Sequence, residues 1–470
     1  MKYSIVAKQN LNNESRLDAE FFAPEIIQAE NCIAKHKNDE IARIANVIHP
    51  TEIERIYSDA GIQILLAQNV RNNCLCFDIK SYMPEEKKRL LSSNLLNYND
   101  VLVTRTGANF GQAASYKSTE EIYACADLLV VKCNKILGGY LSTFFNTKYG
   151  RLMLDRGVYG AAQPHISSLY LKQLKVPRFN NIFEEMIDKL LNKSHSYTRE
   201  INACYENTYK IFVNELGIKN WQPKHELSYV KNFSDVNSAN RYDAEYFQPK
   251  YDEIIEKIKS YPKGWDKLAN ITKEPKKGIE VGSEEYCEQG IPFIRVSNLS
   301  QYEINDNNMQ YISEKYYNSV ANIYQPKKGE ILLSKDGTPG IAYFLNETPQ
   351  KIIPSGGILR LSVDNDEYLP EYLTLTLNSI VVQMQVERVS SGALIKHWLV
   401  DEIQNTLIPK LEMPKQLEIV EKLKEATRLR AQSKQLLEIA KRGVEIAIEE
   451  NEDIATEWIN EQLLKIGVTL

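Results

Sequence analysis

The stretch Arg16-Leu-Asp-Ala-Glu-Phe-Phe-Ala-Pro24 decides the fold of this 470-residue chain, because it returns as Arg241-Tyr-Asp-Ala-Glu-Tyr-Phe-Gln-Pro249. The two stretches are identical at six of nine positions, and the offset between them is 225 residues. Self-similarity at a long offset indicates a duplicated structural unit. The sequence therefore predicts two similar units.

Four further matches follow in the same order along the chain, so the repeat spans most of it. The offset drifts only from 225 to 232 residues. The matches are residues 61–70 with 290–299, residues 101–107 with 331–337, Gly160 and His165 with Gly392 and His397, and Val176-Pro177 with Ile408-Pro409.

Each repeat ends in a long stretch whose apolar residues recur three and four positions apart, which is helical periodicity. A helix of some 33 residues would run roughly 50 Å. Two such helices can bury their apolar stripes on each other as an antiparallel pair, or each can simply cap its own domain. The positions are Phe183, Ile187, Leu190, Tyr197, Ile201, Cys204 and Phe212 in the first stretch, and Leu417, Val420, Leu423, Leu436, Leu437, Ala440 and Val444 in the second.

Upstream of each long stretch, short apolar runs bounded by Gly, Asn and Pro predict strands, and segments with helical spacing predict helices. The predicted fold class is α/β (α+β). It comprises two similar globular domains, each followed by a long helix, with the helices packed as an antiparallel coiled-coil spacer. The predicted boundaries are 1–182 for the first domain, 183–222 for the first helix and linker, 223–409 for the second domain, and 410–470 for the second helix and C-terminal tail.

The composition, 43% hydrophobic and 25% charged, is that of a folded soluble protein. No apolar run approaches the roughly 20 residues of a membrane-spanning helix, and the N-terminus lacks the apolar core of an export signal. Seven cysteines without such a signal suit reduced thiols, and their spacing lacks a zinc-site pattern. We therefore expect a cytoplasmic protein without a metal site.

The net charge of −5 is unusual for a protein that binds DNA. Between Gly443 and Trp458 there are six acidic residues and no basic ones, so this segment accounts for the deficit. Charge therefore neither supports nor excludes a nucleic-acid partner.

Motifs of common enzyme classes are missing from the sequence. There is no phosphate loop, no nucleophile elbow, no His-Glu-x-x-His pair, no methyltransferase Asn-Pro-Pro-Tyr type motif and no nucleotide fingerprint. Asp78 with Glu85 and Lys87 has the letters of a metal-dependent nuclease, but Pro84-Glu-Glu-Lys-Lys is typical of a helix start. We therefore expect no catalytic residues in this chain.

Two loops at the same place in the repeats, Arg105-Thr-Gly-Ala-Asn-Phe-Gly111 and Lys335-Asp-Gly-Thr-Pro-Gly340, each follow an apolar strand. A basic residue beside glycines lets the backbone approach DNA while the charge reaches the phosphate oxygens. A tight glycine turn without a ligand is the alternative. The candidate DNA-binding residues here are Arg105, Asn109, Gln112, Lys335 and Thr338.

The ends of the first strands of the two repeats bring amide and guanidinium groups together, and such groups make bidentate contacts with adenine and guanine in the major groove. Exposed polar strand ends without a ligand are the alternative. Two histidines at one repeat position either shape a loop or contact DNA. These candidates are Gln68, Asn69, Arg71, Arg295, Ser297 and Asn298 at the strand ends, and Gln163, His165, Lys396 and His397 around the histidines.

Taken in order, these motifs resemble the S (specificity, HsdS) subunit of Type I restriction-modification systems over nearly the whole chain. The resemblance rests on the two Arg-x-Asp-Ala-Glu stretches, on residues 290–299, on Ile331-Leu-Leu-Ser-Lys-Asp-Gly337, and on Ile408-Pro409 running into Pro414-Lys-Gln416. The first repeat departs from the family, because Pro177-Arg-Phe-Asn-Asn-Ile-Phe183 lacks the usual Pro-rich, Glu-Gln helix start.

The resemblance implies two target recognition domains, each reading half of a split site in double-stranded DNA. It also implies that the long helices dock two methyltransferase (M) subunits, with restriction/translocase (R) subunits completing the complex. S-adenosylmethionine, ATP and Mg²⁺ would belong to those partners. This chain would bind no cofactor, membrane or small-molecule substrate, and it would not be an enzyme.

Two unlike readers on such a spacer would reach major grooves roughly 34 Å apart, which predicts an asymmetric bipartite target with a fixed gap. Three alternatives remain open at this point. The chain could serve a Type IIB-like or other methylation-based phage defence system, or be a two-domain scaffold that does not read DNA, or be a free-standing enzyme.

Overall fold

The structure is a computed structural model that describes residues 5, 18–77, 80–107, 110–160, 164–306, 308–390 and 396–470. The chain divides into two units. Unit 1 comprises Met1–Ile201 with Thr427–Leu470, and unit 2 comprises Asn202–Ala426. Both long helices pass from one unit into the other, so each unit contains part of each helix.

The core of the unit 1 domain is a four-stranded antiparallel sheet with the order β2-β10-β7-β8. Its central strand β7 (Val101–Thr104) is buried at all four positions, which explains its continuous apolar sequence. A smaller sheet, β6-β3-β9, joins one antiparallel and one parallel pair. The other strands of the unit are β1 (Asn38–Glu40), β2 (Ala45–Ile48), β3 (Ile62–Leu65), β4 (Val70–Arg71), β5 (Cys74–Leu75), β6 (Ser81–Met83), β8 (Ala113–Ser115), β9 (Tyr123–Ala124), β10 (Leu128–Cys133), β11 (Val158–Tyr159), β12 (His165–Ile166) and β13 (Lys175–Pro177).

Unit 2 repeats this arrangement with the sheet β15-β23-β19-β21 and the sheet β16-β18-β17-β22. The parallel pair β3 and β9 of unit 1 has its counterpart in β17 and β22. The strands are β14 (Trp265–Lys267), β15 (Lys276–Lys277), β16 (Tyr286–Cys287), β17 (Ile291–Ile294), β18 (Gln310–Ile312), β19 (Glu330–Ser334), β20 (Asp336–Gly337), β21 (Ala342–Phe344), β22 (Ile353–Pro354), β23 (Ile358–Ser362), β24 (Lys396–His397) and β25 (Leu407–Pro409).

The helices of the two domains also correspond. The Tyr140 hydroxyl donates to the Pro177 carbonyl at 2.6 Å in unit 1, and the Tyr372 hydroxyl donates to the Pro409 carbonyl at 2.6 Å in unit 2. The predicted internal duplication therefore extends to single hydrogen bonds. The helices are α1 (Pro24–Ala34), α2 (Ile41–Ile44), α3 (Gly138–Asn146), α4 (Lys148–Arg156), α5 (Ser168–Gln173), α6 (Asn181–Glu215), α7 (Phe233–Ala239), α8 (Pro249–Lys259), α9 (Glu314–Tyr324), α10 (Pro370–Asn378), α11 (Ile380–Val389), α12 (Val400–Gln404), α13 (Met413–Glu449) and α14 (Glu452–Lys465).

The two long helices are α6, with 35 residues, and α13, with 37 residues. Within unit 1 they run antiparallel. The Ser194 and Ser433 hydroxyls lie 2.8 Å apart, while Ile187, which precedes Ser194 on α6, lies beside Gly443, which follows Ser433 on α13. The prediction of two α/β domains with paired long helices is confirmed.

The acidic segment of the C-terminus is largely engaged within unit 1. A Glu445 carboxylate accepts the Lys148 backbone N–H at 2.9 Å, and Glu449 pairs with Lys148 and with Arg442. A carboxylate at the start of a helix satisfies unpaired N–H groups and complements the helix dipole, so Glu445 stabilises α4. These charges are therefore partly compensated by neighbours in the fold.

Candidate nucleic-acid interface

The first strand of each domain runs into a single 3₁₀ turn, Ala67–Asn69 in unit 1 and Val296–Asn298 in unit 2. Asn69 closes its turn from inside. Its Oδ1 accepts the Leu66 N–H at 2.8 Å, and its Nδ2 donates to the Cys76 carbonyl at 2.8 Å. The side chain is 1% exposed. Its polar atoms are therefore committed to the backbone.

Asn298 makes the same two contacts in unit 2, with the Arg295 N–H at 3.1 Å and the Asn305 carbonyl at 3.3 Å. Its side chain is fully buried. A base contact by Asn69 or Asn298 would leave buried backbone groups unpaired, which is costly. Both side chains therefore have a structural role in closing the turns, and a contact with DNA stays a prediction for them.

The neighbours of these asparagines on the turns do face outward. Gln68 and Ser297 occupy the same turn position in the two units, and both are exposed. Arg71 on β4 and Arg295 are half-buried, and the Arg295 guanidinium donates to the Asn308 carbonyl at 2.6 Å. The structure thus leaves Gln68 and Ser297 as the accessible polar groups of the two turns.

The basic loops begin alike in the two units. Gly107 and Gly337 have φ angles of +90° and +71°, a backbone region that glycine adopts without a Cβ penalty. The Gly111 N–H closes the first loop on the Thr104 carbonyl at 2.8 Å, and the Gly340 N–H closes the second on the Ser334 carbonyl at 2.9 Å. The loops therefore begin and close alike in the two units, although the first is one residue longer.

A short backbone bridge brings the histidines to these loops, as their shared repeat position suggested. Thr106 bridges to His165 in unit 1, and Asp336 pairs with His397 between β20 and β24 in unit 2. The bridges are extended by hydrogen bonds from Ile166 N–H to the Arg105 carbonyl and from Trp398 N–H to the Lys335 carbonyl, at 3.1 and 2.8 Å.

The basic groups of the two loops have different partners. The Arg105 guanidinium lies 3.1 Å from the Nε2 atom of His49 in unit 1. In unit 2, the Lys335 ammonium pairs with Asp336 at 2.6 Å, and Asp336 also contacts the His397 ring at 2.8 Å. Burial opposes ionisation of Asp336, but these two neighbours lower its pKa below the ordinary value.

An ion pair beside the unit 1 loop was not predicted from the sequence. The Arg55 guanidinium lies 2.9 Å from Asp127, and this bonded partner raises the pKa of Arg55. Neither residue stands in a matched stretch of the repeat, so self-comparison of the sequence gave no signal for them. Asp336 lies in one of the two repeated basic loops, so the repeat could have pointed to it. No sequence pattern pointed to His49.

The remaining candidates are distributed as follows. Thr338 and Lys396 are exposed, while Gln112 is half-buried and its buried Oε1 has no hydrogen-bond partner among the described residues. The Nδ1 atom of His165 is buried and also lacks a partner within the described part of the chain. Asn109 and Gln163 lie outside the described residues.

The described residues contain no group of three or more His, Cys, Asp and Glu side chains that could hold a metal ion. Of the nuclease-like letters, Glu85 and Lys87 stand in a 3₁₀ turn, and Asp78 lies outside the described residues. All seven cysteines lie in the described part of the chain, and no disulfide joins any two of them. Within the same residues, no helix has the length and apolar character needed to cross a bilayer.

No family model and no curated protein matches the chain. Solved structures do match it over 91% of its length. They include a Type-I restriction-modification S subunit from M. genitalium (11% identity, 95% of that chain, TM-score 0.36), an HsdS subunit from Thermoanaerobacter tengcongensis (12%, 96%, 0.26) and a structure of type I R-M complex assembly (12%, 97%, 0.28). At such identities and TM-scores, this likeness carries no functional conclusion by itself.

Proposed function

We propose that this chain reads DNA as the non-catalytic specificity subunit of a Type I restriction-modification complex. One observation carries the proposal: each unit has a glycine loop that begins and closes in the same way and is bridged to a histidine, and the two loops carry different polar and basic side chains. An enzyme needs one site at which its catalytic groups meet. A protein that reads a split sequence needs two similar backbone arrangements that carry different contact residues. The duplicated frame therefore supports sequence recognition.

The accessible side chains of the two frames suit the major groove. Gln68 and Arg105 in unit 1 can contact adenine and guanine or phosphate, whereas unit 2 offers Ser297, Lys396 and His397. Because these sets differ, the two half-sites differ. The proposed target is an asymmetric bipartite sequence in double-stranded DNA, and Thr338, Arg71 and Gln112 are secondary candidates within it.

The partners in this proposal are two M subunits and the R subunits, which bind S-adenosylmethionine, ATP and Mg²⁺. Large apolar side chains are exposed near the start of both long helices, Ile182 at 76% on α6 and Leu417 at 49% on α13. Exposed apolar surface often marks a protein interface. Its presence at the same end of both helices supports one M subunit at each.

The unusual start of the first helix need not prevent such docking. Glu184 of α6 occupies the place of Gln416 of α13, and both side chains are buried and bonded at the helix start. Glu184 binds the Arg178 guanidinium at 2.8 Å, while Gln416 accepts the Leu369 N–H at 2.9 Å. Each helix start is thus held by a buried side chain at the same position, a carboxylate in α6 and an amide in α13.

The deciding experiment is to co-express the chain with the methyltransferase gene beside it and to sequence methylated positions across the host genome. We expect one asymmetric split motif that vanishes when this chain is omitted. Methylation that persists unchanged without the chain would overturn the proposal. A non-split motif that depends on this chain would place it in a different recognition system.

A scaffold that no longer reads DNA is the second candidate, because Asp336 partly neutralises Lys335 within its own loop. Arg105→Gln and Lys335→Gln test it against Lys175→Gln and Lys259→Gln, which change exposed lysines on β13 and at the end of α8. Removing a cation that binds a phosphate should weaken DNA binding and flatten its salt dependence. Unchanged DNA affinity in both loop variants would favour the scaffold.

A further inference from the structure

A carboxylate stands at the same place beside the loop in both units, but it comes from different segments, Asp127 from the turn before β10 and Asp336 from β20. Backbone hydrogen bonds from the Arg105 N–H to the Asp127 carbonyl and from the Lys335 N–H to the Gly357 carbonyl, at 2.8 and 2.9 Å, fix the correspondence. Unit 1 therefore has an aspartate where unit 2 has a glycine.

Asp336 of unit 2 fills the space that this glycine leaves. A Cβ built on Gly357 would lie 3.5 Å from the Cβ of Asp336 and 3.6 Å from its Oδ2 atom. Unit 1 has Thr106 at the position of Asp336, and its hydroxyl lies 3.4 Å from the Oδ1 atom of Asp127. The aspartate thus stands at one of two facing positions in unit 1 and at the other in unit 2. Its carboxylate lies at the same place beside the loop in both units.

In each unit the carboxylate holds a different cation or ring. Asp127 binds Arg55, whose side chain is 45% exposed. Asp336 binds the Nδ1 atom of His397, whose side chain is 51% exposed, and the Lys335 ammonium, which is 15% exposed. The more exposed groups, Arg55 and His397, are the ones left free to reach a ligand.

A carboxylate can only accept hydrogen bonds, so it cannot bind a phosphate. A carboxylate beside each basic loop weakens the electrostatic attraction to DNA. Its presence therefore needs a reason other than affinity. With Nδ1 held by Asp336, the Nε2 atom of His397 is directed away from the carboxylate. The Arg55 guanidinium is fixed in the same manner, and a fixed guanidinium can bind guanine in a bidentate way.

We propose that Asp127 and Asp336 are positioning residues that set half-site specificity, Asp127 by orienting Arg55 and Asp336 by orienting His397. The inference rests on the proposed DNA-reading function. It adds Arg55 to the recognition surface. It also explains why His165, which faces Thr106, has no carboxylate partner among the described residues.

The test is to sequence methylated positions in hosts that express the S and M subunits, using the full chain with Asp336→Asn or with Asp127→Asn. Each variant should relax the motif in one half only, a different half for each, with discrimination against single mismatches falling about tenfold or more. A motif that stays unchanged in both variants would overturn the inference. Equal relaxation of base choice in both halves would also overturn it, since that is the result of a structural defect.

A transplant variant keeps the test sharp if Asp336→Asn folds poorly. Asp336→Thr with Gly357→Asp moves the carboxylate to the arrangement of unit 1, where the nearest obstacle is a Val296 methyl at 3.0 Å. Restored discrimination relative to Asp336→Thr alone supports positioning by the carboxylate, and no recovery contradicts it. A wild-type chain that gives no split motif would instead contradict the proposed function itself.

Discussion

The two units fasten their sheets to a long helix at the same place but with opposite chemistry. In unit 1, Asp188 of α6 accepts the Lys117 ammonium at 2.7 Å and the Gly139 N–H at 2.9 Å. In unit 2, the matching helix position is Val420, an apolar side chain that is 3% exposed. The same helix position thus carries a buried ion pair in unit 1 and a buried apolar side chain in unit 2.

The starts of the neighbouring helices differ as well. The first N–H groups of any helix lack intrahelical partners. At α3 they are bound by Asp188 and by Asn99, whose Oδ1 accepts the Gly138 N–H at 2.8 Å. At α10 the first residue is Pro370, which has no N–H to satisfy. Pro370 matches Gly138, so it removes the N–H that Asn99 binds in unit 1, whereas the N–H that Asp188 binds belongs to Gly139.

The largest effect should come from breaking the ion pair of unit 1. Asp188→Ala leaves the Lys117 side chain, 4% exposed, without its carboxylate, and removing one partner of a buried pair costs about 3–5 kcal/mol. Urea denaturation measures the free energy of unfolding, and hydrogen exchange should place the loss in unit 1. The control is Asp188→Leu with Lys117→Met, which should recover most of the stability. A loss below about 1 kcal/mol in Asp188→Ala would contradict the comparison.

The second effect is a pH dependence that belongs to unit 1. Burial, with the nearby Lys117 and Arg199 cations, lowers the pKa of His195 on α6 from 6.5 to about 4. Between these values the unfolded chain takes up a proton that the folded chain refuses, so stability falls as the pH drops from 6.5 to 4. The expected loss is about 3 kcal/mol.

His195→Leu tests this dependence, because it removes the titrating group. The free energy of unfolding of the variant, measured against pH, should be flatter between pH 6.5 and pH 4 than that of the wild type. The matching position of α13 is Thr427, also in unit 1, and a threonine hydroxyl does not titrate in this pH range. An equally steep curve in the variant would show that other groups cause the loss.

Where the two units agree, matched substitutions should have matched effects. Asn69→Ala and Asn298→Ala each leave a buried backbone N–H and carbonyl without their side-chain partner, which costs about 1–3 kcal/mol. The melting temperatures of the two variants should fall by similar amounts. Wild-type stability with a changed methylation motif would support the interpretation that these asparagines contact DNA.

The sequence predicted the topology well, because a duplicated pattern has to satisfy the same strand pairing twice. It also predicted the glycine loops, since a positive φ leaves a residue-type signal. The burial of Asn69 and Asn298 could not be predicted, because an amide that binds a base and an amide that closes a turn are the same residue type. The common location of the Asp127 and Asp336 carboxylates could not be predicted either, because the repeat aligns Asp127 with Gly357 and not with Asp336.

The smallest loss of stability should come from substitutions of Gly107 and Gly337, which separate the cost of a positive φ from the cost of side-chain crowding. A Cβ built on Gly107 or on Gly337 meets no atom of the described residues within 4 Å, so within that part of the chain alanine is opposed by the positive φ, at about 1 kcal/mol. Gly337→Asn should cost less than Gly337→Ala, because asparagine tolerates the left-handed region. Denaturant midpoints measure both, with Gly217→Ala as a control at another open glycine, φ +65°. If Gly107→Ala were far more costly than Gly337→Ala, the two loops would not begin alike.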